Sequence, residues 1–373
     1  MPLTAEDTLV IEEVSVSDYE KVIVATDERV GLKGIICIHN TQLGPALGGI
    51  RIYPYTTFNE AMTDVKRLAR GMTYKSAIVE TGMGGGKSVI IADPKKHKTP
   101  ELLTSFARAV DRLQGMYICA EDVGCTTEDV MHIQKTTPFV VGLPHEKSSG
   151  NPAPFTAWGT YRGIQSVFKK LYDNESVKGR TIAIQGLGSV GAIVAELLFW
   201  NGARLIVTDV DKEKAMRLAK QFSGEYVDPD KILEVECDLV APCALGGIIH
   251  ADSIKKLRCK GIAGCANNQL LKDSDADELY RKGILYAPDF LINAGGLINV
   301  VNELEKEGYQ SDIARNKIDQ IYEQLLLIYD VADNNKYSTH QAAVEICNYR
   351  LKYGLGKKAG SLYFHHSNYE KSI

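Results

Sequence analysis

Residues 182–191 read IAIQGLGSVG; an Ala- and Leu-rich stretch then runs to Asn201, and LIVTD closes the block at Asp209. An apolar run that feeds straight into Gly186-x-Gly188-x-x-Gly191 predicts a buried strand, a tight turn and a helix. Gly186 permits the turn, Gly188 lets backbone approach a pyrophosphate, and Gly191 lets the helix pack on the strand. An anion then rests on the helix N-terminus, where free N–H groups and the helix dipole favour negative charge. Asp209 follows Gly188 by about twenty residues, at the end of a second strand, where a carboxylate accepts both ribose hydroxyls. A 2′-phosphate is repelled there, so the pattern favours NAD over NADP. Glycine turns are common, and a lone G-x-G-x-x-G is weak. Strand, helix, second strand and terminal acid in register make it strong. The plain structural alternative is a glycine-rich turn with Asp209 capping the next helix.

Around this block the chain alternates short apolar strands with helices. Thr181–Gln185, Leu205–Thr208, Leu239–Ala241 and Gly261–Ala263 form one series, expected to pair in parallel with helices on both faces. Upstream, Val22–Ala25, Gly34–His39 and Gly48–Tyr53 read as strands. Asn59 to Met72 reads as a helix with Ala61, Val65, Leu68 and Met72 on one face. A second helix starts at Pro100 and ends at Gly115, and the strand Tyr117–Ala120 follows. The polar segment 144–154, PHEKSSGNPAP, reads as a linker, and a helix from about Thr156 to Tyr172 leads into the second series. The fold class is therefore α/β, an N-terminal α/β domain followed by a Rossmann-type doubly wound domain with a cleft between them. The expected bounds are 1–148 and 149–334, with helices from about 335–373 completing the first domain.

Composition adds exclusions. The 373 residues carry 43 Lys and Arg against 47 Asp and Glu, a net charge of -4, so no global basic field recruits nucleic acid or anionic membrane. The acidic start MPLTAEDTLV has no secretory pattern, and no long uncharged apolar run predicts a transmembrane helix. None of the 8 cysteines forms a C-x-x-C pair, so zinc and thioredoxin-like readings have no support and no metal is expected. Scattered reduced cysteines point to the cytoplasm.

A second glycine cluster lies at 71–93, GMTYKSAIVETGMGGGKSVIIAD. Gly86-Lys87-Ser88 resembles the end of a phosphate-binding P-loop, but the register fails because Thr81 stands where the first glycine belongs. A different chemistry fits: Lys75 and Lys87 flank a glycine-rich loop, one to hold a carboxylate and the other to move protons if a cleft depresses its pKa. Asp122, just past the strand Tyr117–Ala120, is placed to tune them and relay a proton. Taken singly, each is more often a solvated surface residue.

The segments LGPALGGIR (43–51), RGMTYKSA (70–77), GGGKSVIIADP (84–94), AEDVGCTTED (120–129) and SGNPAPFTAWG (149–159) resemble the leucine, valine and phenylalanine dehydrogenases of the glutamate dehydrogenase superfamily. IQGLGSVG (184–191), APCALGG (241–247), CANNQL (265–270) and PDFLINAGGLINV (288–300) continue the resemblance in family order. It implies reversible oxidative deamination: an L-amino acid, NAD and water give a 2-oxo acid, ammonium and NADH. By position, Lys75 then holds the substrate α-carboxylate with backbone at Gly48 and Gly49. Lys87 activates water, Asp122 exchanges protons with the amino group, and Asn293 contacts substrate or nicotinamide. Gly186, Leu187, Gly188, Ser189, Val190, Gly191, Asp209 and Val210 hold the cofactor, with Thr156, Ala244, Leu245, Ala266 and Asn267 lining its cleft. The family also implies a homo-oligomer, and closure about the 144–154 linker is expected.

Relatives acting on glutamate carry a lysine before the first Gly-Gly; here Leu47 stands there, and an apolar wall leaves a γ-carboxylate without a partner. With Met72 and Ala120 it is expected to line an apolar pocket for leucine, isoleucine or valine. The alternatives are the same reaction on phenylalanine or tryptophan, or a non-catalytic NAD- or amino-acid-binding regulator. Glu80 and Cys125 depart from the pattern; Glu80 alters the local field, and Cys125 is read as an inert packed thiol.

Overall fold

The computed structural model describes residues 8–365, so the outer ends of the expected domain bounds lie outside the described residues. The chain divides into two compact units. The first comprises the residues up to Gly150 together with Val300–Gln310 and the residues from Arg350; the second comprises Asn151–Asn299 and Ser311–Tyr349. This differs from the expected bounds: 335–349 lies in the second unit, and 300–310 lies in the first.

In the first unit the strands are β1 (Val10–Glu13), β2 (Lys21–Asp27), β3 (Leu32–Asn40), β4 (Ala46–Tyr53), β5 (Gly84–Ile91) and β6 (Tyr117–Ala120). They form one mixed sheet in the order β1-β2-β3-β5-β4-β6, antiparallel from β1 through β5 and parallel from β5 through β4 to β6. Helix α1 (Phe58–Ile78) starts at a Thr57–Glu60 capping box. Its apolar stripe Ala61, Val65 and Ala69 buries against Val22, Ile35, Cys37 and Val89. Helix α2 (Pro100–Asp111) covers the opposite face, where a methyl on Gly34 would lie 3.3 Å from the Phe106 ring. Helix α3 is Thr127–Gln134.

The glycine-lysine segment corrects its sequence reading. Gly84–Gly86 and Lys87 belong to strand β5, not to a loop, and Lys75 lies in the last turn of α1. Glycine is poor strand material by propensity but is required here by close approach. A Cβ on Gly85 would fall 2.1 Å from Thr73 of α1, and one on Gly86 2.9 Å from the Tyr117 ring.

In the second unit the strands β7 (Thr181–Gln185), β8 (Arg204–Thr208), β9 (Glu225–Tyr226), β10 (Leu239–Pro242), β11 (Gly261–Ile262) and β12 (Leu285–Tyr286) pair wholly in parallel. Their order, β12-β11-β10-β7-β8-β9, is the doubly wound 3-2-1-4-5-6 arrangement read from β9, as the Rossmann reading expects. The helices are α4 (Ala153–Tyr172), α5 (Ser189–Trp200), α6 (Lys212–Gln221), α7 (Ala251–Lys256), α8 (Asp275–Lys282), α9 (Asp289–Ile292), α10 (Gly295–Asn302), α11 (Ser311–Asn335) and α12 (Thr339–Tyr353). Two of the four unit boundaries fall within helices, α10 and α12. Ile254 of α7 and Leu279 of α8 join Ala183, Val240, Ile262 and Tyr286 in a core on one sheet face. On the other face Val167 of α4 comes so close that a Cβ on Gly261 would lie 2.6 Å away.

Candidate active site

Register brings the proposed proton-handling groups of the first unit into one row. Gly49 of β4 pairs with Ala120 of β6, and Ile50 pairs with Ser88 of β5, so Lys87, Gly49 and Ala120 stand side by side. One step earlier, Leu47 pairs with both Gly85 and Ile118. Strand alternation places Gly85, Lys87 and Val89 on the face that α1 covers, the helix carrying Met72 and Lys75. Leu47 is buried, whereas Met72, Lys75 and Ala120 are half-buried.

Lys87 is buried, and its Nζ lies 3.1 Å from Oδ2 of Asp122. Desolvation pushes the ammonium below the usual lysine range; Asp122 opposes this, and the Arg51 cation adds to it. Burial alone raises the Asp122 carboxyl, but Lys87 and Arg51 outweigh it and hold the group below the ordinary carboxylate range. Asp122 is held by its strand neighbour: a Cβ on Gly49 would sit 2.5 Å from Glu121 O and 2.8 Å from Asp122 Cβ. Only glycine fits there.

Sequence reasoning missed Arg51. Its Nε donates to Asp122 Oδ2 at 3.0 Å and its Nη1 to Asp64 Oδ2 of α1 at 2.9 Å, while Tyr55 OH donates to the same Asp64 oxygen at 2.7 Å. The available signal was alternation: Arg51 lies two residues beyond Gly49 and so shares the face of Lys87. Behind the row, Tyr117 OH donates to Gly48 O at 2.7 Å and lies 3.0 Å from Ser88 Oγ.

The two departures have plain structural accounts. Glu80 pairs with Arg350 at 2.9 Å, and that arginine also donates to the carbonyls of Ala77 and Ile78 at the end of α1. Cys125 is buried and desolvation pushes its thiol up to about 12, the environment of a packed thiol.

In the second unit the residues read as a dinucleotide site lie at the carboxyl ends of the parallel strands. Gly186 has φ +94, and a Cβ there would lie 2.5 Å from the Ala244 methyl, so the loops after β7 and β10 touch where the strand order reverses. That crevice is the general ligand site of doubly wound sheets. Gly191 packs on Gly186 O at 2.1 Å from its virtual Cβ, whereas Gly188 has open space around it. Gly188 is the N-cap of α5, and no side chain caps that helix. The amides of its first turn, at Ser189 and Val190, are thus placed for an anion. Leu187 differs: it is buried, and its N–H donates to Asp209 Oδ2 at 2.6 Å, so it shapes the turn rather than meeting a ligand. Asp209 also accepts from Asp211 N–H at 2.9 Å. Burial raises its carboxyl, but those amides outweigh burial and hold it below the usual range. Val210 and Leu245 are 93% and 76% exposed, apolar side chains facing outward.

Asn293 ends α9, and its Nδ2 donates to Asn267 Oδ1 at 2.8 Å and to Cys265 O at 3.3 Å. Among the described residues its Oδ1 is buried with no hydrogen-bond partner. Ala266 is buried beside it. Thr156 of α4 abuts the start of α10, where a Cβ on Gly296 would lie 2.9 Å from Thr156 Oγ1.

Residues 18–139 match the family described as Glu/Leu/Phe/Val dehydrogenase, dimerisation domain, and residues 207–350 match Glutamate/Leucine/Phenylalanine/Valine dehydrogenase. The chain is 46% identical over 336 residues to leucine dehydrogenase of Thermoactinomyces intermedius, spanning 90% of this chain and 91% of that one. It is 44% identical over 345 residues to phenylalanine dehydrogenase of Caldalkalibacillus thermarum, spanning 90% and 92%. The crystal structure of L-tryptophan dehydrogenase from Nostoc punctiforme superposes with a TM-score of 0.80 at 39% identity, covering 90% of this chain and 97% of that one. With both units matched and the Rossmann strand order in place, the chain belongs to the glutamate/leucine/phenylalanine/valine dehydrogenase family, amino-acid oxidoreductases acting on CH–NH2 donors.

Proposed function

We propose that the chain catalyses the NAD-dependent, reversible oxidative deamination of an apolar L-amino acid, branched aliphatic side chains first. The products are the 2-oxo acid and ammonium. The observation that carries this reading is the buried Lys87, its Nζ 3.1 Å from the half-buried Asp122. A carboxylate kept ionised takes a proton from the substrate ammonium, leaving a neutral nitrogen whose lone pair assists hydride loss. A lysine with a depressed pKa takes a proton from the water that adds to the resulting imine carbon. Lys75 holds the substrate α-carboxylate, with backbone at Gly48 and Gly49 beside it. Leu47, Met72 and Ala120 line the side-chain pocket.

The second unit fits NAD: an uncapped helix N-terminus beyond an open Gly188, an ionised Asp209 for the ribose, and the unpartnered Asn293 Oδ1. When bound, NAD supplies the acceptor for the hydride leaving Cα; the protein's share is positioning and proton management. Thr156, Ala244, Leu245, Ala266, Asn267 and Val210 complete the cofactor surface.

Leu47 supports an apolar substrate, because a γ-carboxylate buried against it has no counter-charge. The names of the relatives rank leucine ahead of phenylalanine and tryptophan. A panel of L-amino acids with NAD at alkaline pH, followed by NADH absorbance, tests the reading. Turnover is expected with leucine, isoleucine and valine, since apolar pockets separate near-isosteres by only ~1–3 kcal/mol. No turnover with any apolar amino acid overturns the proposal, and a preference for phenylalanine moves it to the aromatic alternative. We also propose a homo-oligomer, which the dimerisation-domain match over 18–139 supports. A cytoplasmic location is supported by free thiols at all eight cysteines.

A further inference from the structure

Two acidic and two basic side chains share one small volume on the α1-covered face of the first sheet. Arg51 comes from β4, Lys87 from β5, Asp122 from just beyond β6 and Asp64 from α1, and the Tyr55 hydroxyl closes the row on Asp64. Lys87 Nζ and Arg51 Nε both bind the same oxygen of Asp122, at 3.1 and 3.0 Å. The other end of Arg51 is fastened to Asp64 at 2.9 Å, so the guanidinium cannot follow Lys87 if that side chain moves.

We propose that Arg51 is a positioning residue for deamination: a permanent cation that keeps Asp122 ionised and in place while Lys87 gives up its proton. The inference rests on the proposed function. With both lysine and arginine charged, the two carboxylates are balanced. When Lys87 turns neutral to act as a base, Asp122 loses one of its two counter-charges in a partly desolvated site, where an unpaired carboxylate is costly. Arg51 never deprotonates and stays on the same oxygen. It also repels the Lys87 ammonium, and its contribution to Lys87 is in that direction. Arg51 touches neither substrate nor cofactor in this scheme; it acts through Asp122 and Lys87.

The sign of the effect follows. Removing the Arg51 charge takes away a cation that disfavours the Lys87 ammonium and leaves both carboxylates in place, so the ammonium is favoured and its pKa rises. Deamination needs neutral Lys87, so the acid limb of the pH–rate profile moves to higher pH.

The test is the pH dependence of kcat/KM for L-leucine deamination by the full chain, its Arg51→Gln variant and its Arg51→Lys variant. Arg51→Gln is expected to shift the acid limb up by about one pH unit, roughly a tenfold loss on the limb. At the alkaline end its rate should recover towards wild type. Arg51→Lys, which keeps the charge but not the fork, should restore most of the limb position. Far-UV circular dichroism and NAD affinity, the latter read on the other unit, should stay unchanged. A variant whose profile is scaled down evenly with the limb unmoved overturns the inference and leaves the proposed function standing. An unchanged profile also overturns it. A wild-type chain with no activity on any apolar amino acid overturns both.

Discussion

The backbone N–H of Leu187 lies 2.6 Å from Oδ2 of Asp209, joining the glycine turn to the acid at the end of the next strand. Asp209 therefore has a structural job beside the one proposed for it at the cofactor, and two substitutions separate them. Asp209→Ala leaves the Leu187 and Asp211 amides without their acceptor, costing about 1–3 kcal/mol at the buried one. Binding of both NAD and NADP should weaken. Asp209→Asn keeps one oxygen acceptor and removes the charge, so NAD affinity should fall less and the NAD-to-NADP preference should narrow. Affinities from nucleotide fluorescence decide this. An unchanged preference in both variants removes Asp209 from ribose recognition.

Lys87→Ala should abolish turnover while leaving NAD binding intact, because Lys87 lies in the first unit and the dinucleotide turn in the second. Steady-state kinetics and nucleotide titration read the two properties separately. In wild type, the acid limb of kcat/KM should lie below the ordinary lysine value of ~10.4, since burial depresses the ammonium. The rate should rise as pH climbs through that lowered limb. Asp122, held ionised, adds no limb near neutrality. Near-normal turnover in Lys87→Ala ends its assignment as the base.

Two glycines of the first unit make a matched comparison. Gly49→Ala places a methyl against Glu121 O and Asp122 Cβ and displaces the carboxylate from Lys87. A misplacement of this kind is expected to cost about a hundredfold in kcat. Gly71→Ala, in α1 with nothing within 4 Å of the added methyl, should raise helix stability by about 0.5–1 kcal/mol with kcat retained. Equal kinetics for the two variants contradicts the role given to Gly49.

Tyr117→Phe removes a buried hydroxyl that donates to Gly48 O and touches Ser88 Oγ. The loss should be about 1–3 kcal/mol, seen as a lower midpoint in thermal or urea unfolding. An unchanged midpoint means that these bonds contribute nothing net to holding β4, β5 and β6 together.

The β7–turn–α5–β8 block was legible because its parts are contiguous: strand, glycines, helix and acid follow within one stretch of chain, and each has a local signature. Strand β5 was not, because its glycines serve long-range contacts with Thr73 and Tyr117 and carry no strand propensity of their own. Arg51 escaped for a related reason. Its acceptor lies 71 residues away, and nothing in GGIR marks the arginine as different from a solvated one. The return of 300–310 and 350–365 to the first unit is held in part by Glu303 and Arg350, whose partners are distant in sequence.

Those late returns bear on how the protein is made. Glu303 accepts the amides of Gly142 and Ser149 at 2.6 and 3.1 Å, and Arg350 holds the carbonyls that end α1, the helix bearing Lys75. Both residues leave the ribosome long after the segments they secure. At ~5–20 residues per second, the first 150 residues wait roughly ten to forty seconds for Arg350. During that interval the end of α1 lacks its arginine, and a nascent chain stalled before residue 350 is expected to expose α1 to chaperones and proteases. The substrate half of the enzyme is begun first and completed last.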